Sequence, residues 1–425
     1  MELIRKPIHY TQEGKSVFDQ FYLDEDYNVP DQKEDVQRII QGSAECRPED
    51  IRPVENYVKI TGKVYFRVLY MTASGDPKPA VLEGKIPFEE MVYAENDGNE
   101  TFFIRNMRTE FTGTMVHSRK LSLRVMTELE IGRESLRDEE LTTDVEGSIP
   151  VYRKMQKMNL LKLSVSKKDT YRIKEEIVLP GTKESIGQML SADIVSRKMD
   201  IRLGQDEILI RGELLMFCMY LSGEGKADWI EQSVPYEGRI PCEGVSGEMF
   251  HHIRYSLEDT LSDVRMDEDG EMRVIGIEAT LVLRMNIYEE EETEILRDMY
   301  SLEEECTFET QDTVFEELLM QNQSRCKLSE RLALPELKED VLQIIHSQGN
   351  IQVESEQHVQ EGIRVEGILH LSFLYVRGDD IEPYGSWQGI LPFSYLIEYP
   401  DMPEDAQSSL SSHVEQLAVT LAGSE

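Results

Sequence analysis

Three stretches of the chain alternate apolar and polar residues with a period of two. In the first, Val58, Ile60, Val64, Phe66, Val68 and Tyr70 share one face, while Lys59, Thr61, Lys63 and Arg67 share the other. Ile208, Ile210, Leu214, Met216, Cys218 and Tyr220 repeat the apolar face, as do Ile363, Val365, Leu369, Leu371, Phe373 and Tyr375. Such alternation predicts strands of antiparallel sheets, with one face on a core and the other in water. A glycine sits at the same pleat position in each, Gly62, Gly212 and Gly367. That predicts a bulge or a close backbone approach. Tyr70, Tyr220 and Tyr375 recur at a fixed place, which predicts a packing role.

These strands belong to a longer repeat. A proline lies 32 residues before each glycine: Pro30, Pro180 and Pro335. Each proline is followed by a charged turn and apolar residues at i, i+3 and i+4. The apolar sets are Val36, Ile39 and Ile40, then Ile186, Met189 and Leu190, then Val341, Ile344 and Ile345. That spacing predicts one short helical turn per copy, opened by its proline. After each strand comes Ile86-Pro87-Phe88, Ile240-Pro241-Cys242 or Leu391-Pro392-Phe393. Proline there predicts an edge strand or a strand start, where the missing N–H costs nothing.

The first two copies close with another alternating strand. Leu121, Leu123, Val125, Leu129 and Ile131 form its inward face in one, and Ile277, Ala279, Leu281, Leu283, Met285 and Ile287 in the other. Boundaries are therefore expected near residues 150 and 305, giving units 1–150, 151–305 and 306–425. In the third copy the closing strand should begin 34 to 36 residues after Pro392, past Glu425. Val414 to Leu421 then reads as the first arm of a hairpin without its second. A longer parent protein is the expectation and a strand supplied by a partner the alternative. The predicted fold is mainly β: three tandem β-sandwich-like repeats of many short strands, each with a short helical turn, the third incomplete.

Charge narrows the function. The 425 residues include 82 acidic and 45 basic side chains, a formal net charge of −37. A field of that sign repels phosphate backbones and anionic lipid surfaces, which argues against nucleic-acid and membrane-surface binding and favours basic partners. No stretch approaches the ~20 apolar residues of a membrane helix, so no membrane insertion is expected. The start has no apolar signal region, which implies synthesis into the cytoplasm. Cys46, Cys218, Cys242, Cys306 and Cys326 are scattered and odd in number, as suits a reducing compartment.

No motif assembles chemistry. Gly181 to Ser185 lacks phosphate-loop spacing and reads as a helix-start turn. Gly244 to Glu248 misses the nucleophile elbow by one position and reads as a loop. His251 and His252 are adjacent, so on a strand they point apart, and surface or structural roles are expected for them. Asp267 to Gly270 has calcium-like composition without the ligand ladder and falls at a hairpin turn. The runs at Glu289–Glu292 and Glu303–Glu305 read as solvated. Trp229 and Trp387 are placed in partly buried loops. No catalytic residue, cofactor site or metal site is assigned, and an enzyme is not expected.

The triplicated residues resemble the SPOCS domain of spore-forming Firmicutes, found in tandem in SipL-like spore coat morphogenesis proteins. The resemblance rests on Leu-Pro-x-x-Lys-x-Asp-Val-x-x-Ile-Ile, the glycine strand ending in tyrosine, and Ile-Pro-Phe. The second copy departs from it at Gly181, Ser185 and Cys242. The resemblance implies a mother-cell cytosolic protein at the forespore surface that helps encase the spore through contacts with coat proteins. In SipL-like proteins a C-terminal LysM module engages the coat-assembly ATPase, and no LysM-like segment occurs in this sequence. The expected function is therefore non-enzymatic coat assembly. The alternative is an extracellular or wall-associated β-sandwich protein that binds carbohydrate or calcium.

Overall fold

The computed structural model describes residues 1–96, 98–307, 309–310, 312–337 and 341–422. In the first unit, β1 (Glu2–Asn28), β2 (Val36–Val54), β3 (Tyr57–Thr72), β4 (Pro79–Tyr93), β5 (Glu100–His117) and β6 (Lys120–Glu146) form two antiparallel sheets. The inner sheet has the order β2-β3-β4 and the outer sheet β1-β6-β5. The second unit repeats this plan with β7 (Tyr152–Val178), β8 (Ile186–Leu203), β9 (Glu207–Ser222), β10 (Ala227–Pro241), β11 (Phe250–Met266) and β12 (Met272–Tyr300). Its sheets run β8-β9-β10 and β7-β12-β11. The third unit has a single sheet, β13 (Val341–Val359), β14 (Gly362–Arg377) and β15 (Tyr384–Glu398). Among the described residues it has no second sheet.

The strands are long, from 15 to 29 residues, and not short as the turn signals suggest. Bulges are the reason. The β1–β6 ladder shifts register at Ile4/Arg5 and Gly14/Val17 and continues past both, so a local break in alternation does not end pairing.

Bulges also account for the i, i+3, i+4 spacing, which does not mark a helical turn. In the first two copies the proline opens a tight β-turn, with Lys33 N–H donating to Pro30 O and Lys183 N–H to Pro180 O, both at 2.9 Å. Only Pro335–Leu337 makes a single 3-10 turn, and Lys338, Glu339 and Asp340 lie outside the described residues. The apolar residues that follow lie on β2, β8 and β13, where the first two of three register shifts fall beside them: Val36/Arg38 and Ile39/Gln41 in β2, Ile186/Gln188 and Met189/Ser191 in β8, Val341/Gln343 and Ile344/His346 in β13. One extra residue per bulge reverses the pleat. Positions i and i+3 thus share the face toward their own unit, while i+4 turns to the opposite face.

Two buried clusters fill the space between inner and outer sheets of the first two units. One joins Val58, Ile60, Val64, Phe66 and Val68 of β3 to Leu121, Leu123, Val125, Leu129 and Ile131 of β6. The other joins Ile208, Ile210, Leu214, Met216 and Cys218 of β9 to Ile277, Leu281, Leu283, Met285 and Ile287 of β12. A third cluster lies between the units. Ile40, Leu69 and Met71 meet Leu190, Phe217, Met219 and Leu221, together with Ile345, Leu374 and Tyr384. These side chains come from the far faces of the three inner sheets, so those sheets pack back to back around one apolar centre.

Candidate interaction surfaces

The repeat markers hold each inner sheet in shape. Gly62, Gly212 and Gly367 each face a register shift in the preceding strand, at Pro48/Asp50, Arg197/Asp200 and Val353/Ser355. A Cβ on Gly62 would stand 2.3 Å from Arg47 O, and one on Gly367 2.2 Å from Gln352 O, so both the bulge and the close approach are present there. Above Gly212 the neighbour is the Tyr236 hydroxyl at 2.5 Å. Pro87, Pro241 and Pro392 lie on β4, β10 and β15, each an edge strand of its sheet. Tyr70, Tyr220 and Tyr375 are buried at the ends of the middle strands. The Tyr70 hydroxyl donates to Glu34 O at 3.1 Å, and burial pushes its pKa up to about 12.

Two arginines that the sequence reading passed over clamp the proline turns. Arg119 donates to Val29 O and Pro30 O at 3.0 Å and to Lys33 O at 2.7 Å. Arg273 makes the matching bonds to Pro180 O and Lys183 O, both at 2.8 Å. The signal is positional: each stands two residues before the first fully buried residue of its closing strand, Leu121 or Ile275.

Around the apolar centre, polar contacts link the units in a ring. From first to second, Arg67 Nη1 donates to Ala192 O at 2.6 Å. From second to third, Phe217, which takes the place of Arg67, stacks on His346 at 4.0 Å. His346 Nδ1 lies 3.0 Å from Glu231 Oε2, and its Nε2 lies 3.1 Å from Asp193 Oδ2. Burial works to lower the His346 pKa, but the hydrogen bonds to Asp193 and Glu231 outweigh it and hold the imidazolium above its ordinary range. Burial works to raise Asp193, yet His346 holds its carboxyl below the usual value. From third back to first, Arg38 Nη2 donates to Tyr384 O and Ser386 Oγ to Ile40 O, both at 2.7 Å.

A second junction joins the outer sheets of units one and two, and it is polar. Asn286 Nδ2 donates to both oxygens of buried Glu134 at 3.1 Å. Glu13 accepts from Arg105 at 2.7 Å and Arg254 at 2.9 Å. Burial works to raise the Glu13 carboxyl, but the two guanidiniums hold it low. His252 stands beside this group. Burial, then the Arg254 charge, pushes its pKa down to about 4, so it is neutral at pH 7. His252 thus lines a junction between units, while His251, its neighbour on β11, accepts at its backbone carbonyl from Gln321 Nε2 at 2.6 Å.

The remaining sequence candidates find ordinary places. Asp267 to Gly270 makes the β11–β12 turn, with Gly270 at φ +82°. Gly181 to Ser185 is a turn and Gly244 to Glu248 a loop. Within the Glu289–Glu292 run, Glu291 pairs with Lys6 and Glu292 with Lys157 at 2.8 Å, so part of it is neutralised on neighbouring strands. Trp229 and Trp387 are half-buried on β10 and β15 and not in loops: Trp229 packs on the apolar centre and Trp387 stacks on Phe373 at 5.1 Å. All five cysteines are free, and burial raises the Cys46 and Cys218 thiols to about 12.

The geometry places one sheet module three times, and a family model finds the same three. The description "SipL, SPOCS domain" matches residues 35–107, 185–265 and 340–422, more than half of the chain. The chain belongs to the SipL SPOCS-domain family. Each SPOCS match starts just past the proline turn, covers one inner sheet and reaches into the segment that follows it: β5, β11, and residues 402–422. No curated protein and no solved structure matches the chain. Family membership makes this a sporulation-related protein.

Proposed function

We propose that this SPOCS protein is a non-enzymatic scaffold of spore coat morphogenesis, acting in the mother-cell cytosol at the forespore surface by protein–protein contacts. The observation that carries the reading is the shared apolar centre of the three SPOCS sheets. Back-to-back packing with polar links from unit to unit favours one rigid body over flexible beads, so several outer faces are offered at fixed spacing. Modest contacts then add through effective concentration. The net charge of −37 favours basic coat proteins as partners.

The test is deletion of the gene in a sporulating host, with complementation. Spores of the deletion strain are expected to carry detached or misplaced coat. Restoration is expected from the native gene and not from a Met219→Asp gene, whose product has a charge at the apolar centre. A normally attached coat in the deletion strain would falsify the reading.

A further inference from the structure

The three inner sheets meet at equivalent positions, and the residues there differ in chemistry. Arg67, Phe217 and Ser372 each stand five residues after the marker glycine of their middle strand. Between the first and second sheets the contact is an arginine on a backbone carbonyl, Arg67 on Ala192, which does not titrate near neutrality. Both joints of the third sheet hold a histidine. Buried His346 of β13 lies flat on Phe217 of β9, with Nδ1 3.0 Å from Glu231 of β10 and Nε2 3.1 Å from Asp193 of β8. An ionised carboxylate only accepts, so each ring nitrogen carries a proton and the joint is complete with an imidazolium. Gln348 also bonds to Asp193, Arg67 faces Asp193, and Arg197 faces both carboxylates.

His370 asks for the opposite state. It stands on the face of β14 that carries Leu374, and Arg108 Nη1 of β5 approaches its Nδ1 at 3.2 Å. A guanidinium only donates, so Nδ1 is an unprotonated acceptor. The ring proton sits on Nε2, which donates to Gln352 Oε1 at 3.0 Å. Arg108 is held by Glu128 at 2.9 Å and by Glu110, and Glu354 of β13 is the other charge facing the ring. A proton on Nδ1 would remove the acceptor and set two cations face to face.

We propose that the third SPOCS sheet is a proton-gated module, docked firmly on the other two while His346 carries a proton and His370 Nδ1 does not. Burial works against the His346 charge, but the bonds to Asp193 and Glu231 prevail and raise its pKa. Its contribution is present below the ordinary 6.5 and is lost as pH rises through the docked value. Burial, then the Arg108 charge, lowers the pKa of His370. That contribution is present above 6.5 and is lost as pH falls through the docked value. Docking is therefore firmest near pH 6.5 and weakens on both sides. The apolar centre persists throughout, so pH sets how often the third sheet opens and does not release it outright. The inference concerns regulation of the three-sheet body and does not depend on the coat assignment.

The test follows amide exchange of the 425-residue chain from about pH 5 to about pH 9, with rates corrected for the pH dependence of free amides. In residues 343–348 and 370–376, opening is expected to be least near pH 6.5 and to rise roughly fivefold toward each end. Residues 121–125 of β6 are expected to keep one value. His346→Lys keeps a cation between the carboxylates at every pH used and is expected to erase the alkaline rise alone. His370→Gln keeps an acceptor toward Arg108 that takes no proton and is expected to erase the acid rise alone. Where a variant does not fold, histidine-selective nitrogen labelling of the native chain decides. At pH 6.5 His346 is then expected doubly protonated and His370 a neutral Nε2–H tautomer. Flat opening across the range overturns the proposal, as does a rise that survives its own substitution. A neutral His346 or a charged His370 at pH 6.5 overturns it too. Coat attachment in spores is read separately, so the scaffold reading and this one fail independently.

Discussion

β9 and β14 are written on one pattern and end in different surroundings. Both follow a doubly bulged strand, carry a glycine opposite a third bulge, and finish in a buried tyrosine. In β9 the inward residues Ile208, Ile210 and Leu214 are 0% exposed, whereas in β14 Val365 keeps 5% and Leu369 9% of its surface. β12 lies over the first set, and among the described residues no third-unit strand lies over the second. Alternation prepares an apolar face, but only a covering strand removes it from water, and stabilisation grows with the area removed, about 25 cal/mol per Å². The opposite end of β14 behaves otherwise. Leu374 is as dry as Met219, because both lie in the apolar centre, which is built from the three inner sheets and needs no outer strand.

The largest separation between the units is expected from matching leucines. Leu214→Ala should cost about 3–5 kcal/mol, because the closed core keeps the cavity, and Leu369→Ala about half of that or less, because its site opens to water. Stepwise denaturant unfolding measures both, and equal costs would show that the third face is already covered. Next come the glycines. Gly62→Ala and Gly367→Ala drive a methyl into a carbonyl at 2.3 and 2.2 Å and should cost about 2–3 kcal/mol. Gly212→Ala meets the Tyr236 hydroxyl and ring edge, a side chain that can give where a backbone carbonyl cannot, and should cost less, about 1–2 kcal/mol.

A smaller effect tests the junction between the second and third units. The folded-state pKa of His346 is raised above its ordinary 6.5, so its contribution is fully present below about 6.5 and is lost as pH rises through the folded value. Asp193 is held low, so its contribution is present above the ordinary carboxylate range and is lost on acidification. The second–third junction should therefore be tightest in mildly acidic to neutral solution. His346→Phe should flatten the alkaline limb of a melting-temperature profile, at a cost of about 1–2 kcal/mol below neutrality. An unchanged alkaline limb in that variant would remove His346 from the junction's titration. The smallest effect is expected at the exposed Lys157–Glu292 pair, where solvent screens both charges and Lys157→Ala should leave the melting temperature unchanged.

Much of this could be read before any coordinates. The faces of β3, β9 and β14 follow from period two alone, and the threefold spacing of proline, glycine and tyrosine located the units. The apolar centre was missed, although a trace of it is visible. At Leu69-Tyr70-Met71, Phe217-Cys218-Met219 and Phe373-Leu374-Tyr375 the alternation gives way to unbroken apolar runs, which is how a strand reads when both of its faces are covered. The helical turn was misread because a bulged strand and a helix can share i, i+3, i+4 spacing, and only the partner strand tells them apart. His346 gave no local sign, since its partners Asp193 and Glu231 lie 153 and 115 residues away.

By itself, then, the order of residues determined which positions alternate, where each unit turns, and that one plan is used three times, because these are short-range consequences of side-chain size and backbone freedom. Tertiary structure decided which apolar faces become dry, which charges meet across the units, and that the far faces of the three inner sheets share one apolar centre. Those outcomes depend on surfaces brought together from far along the chain, and burial is a property of the pair in contact.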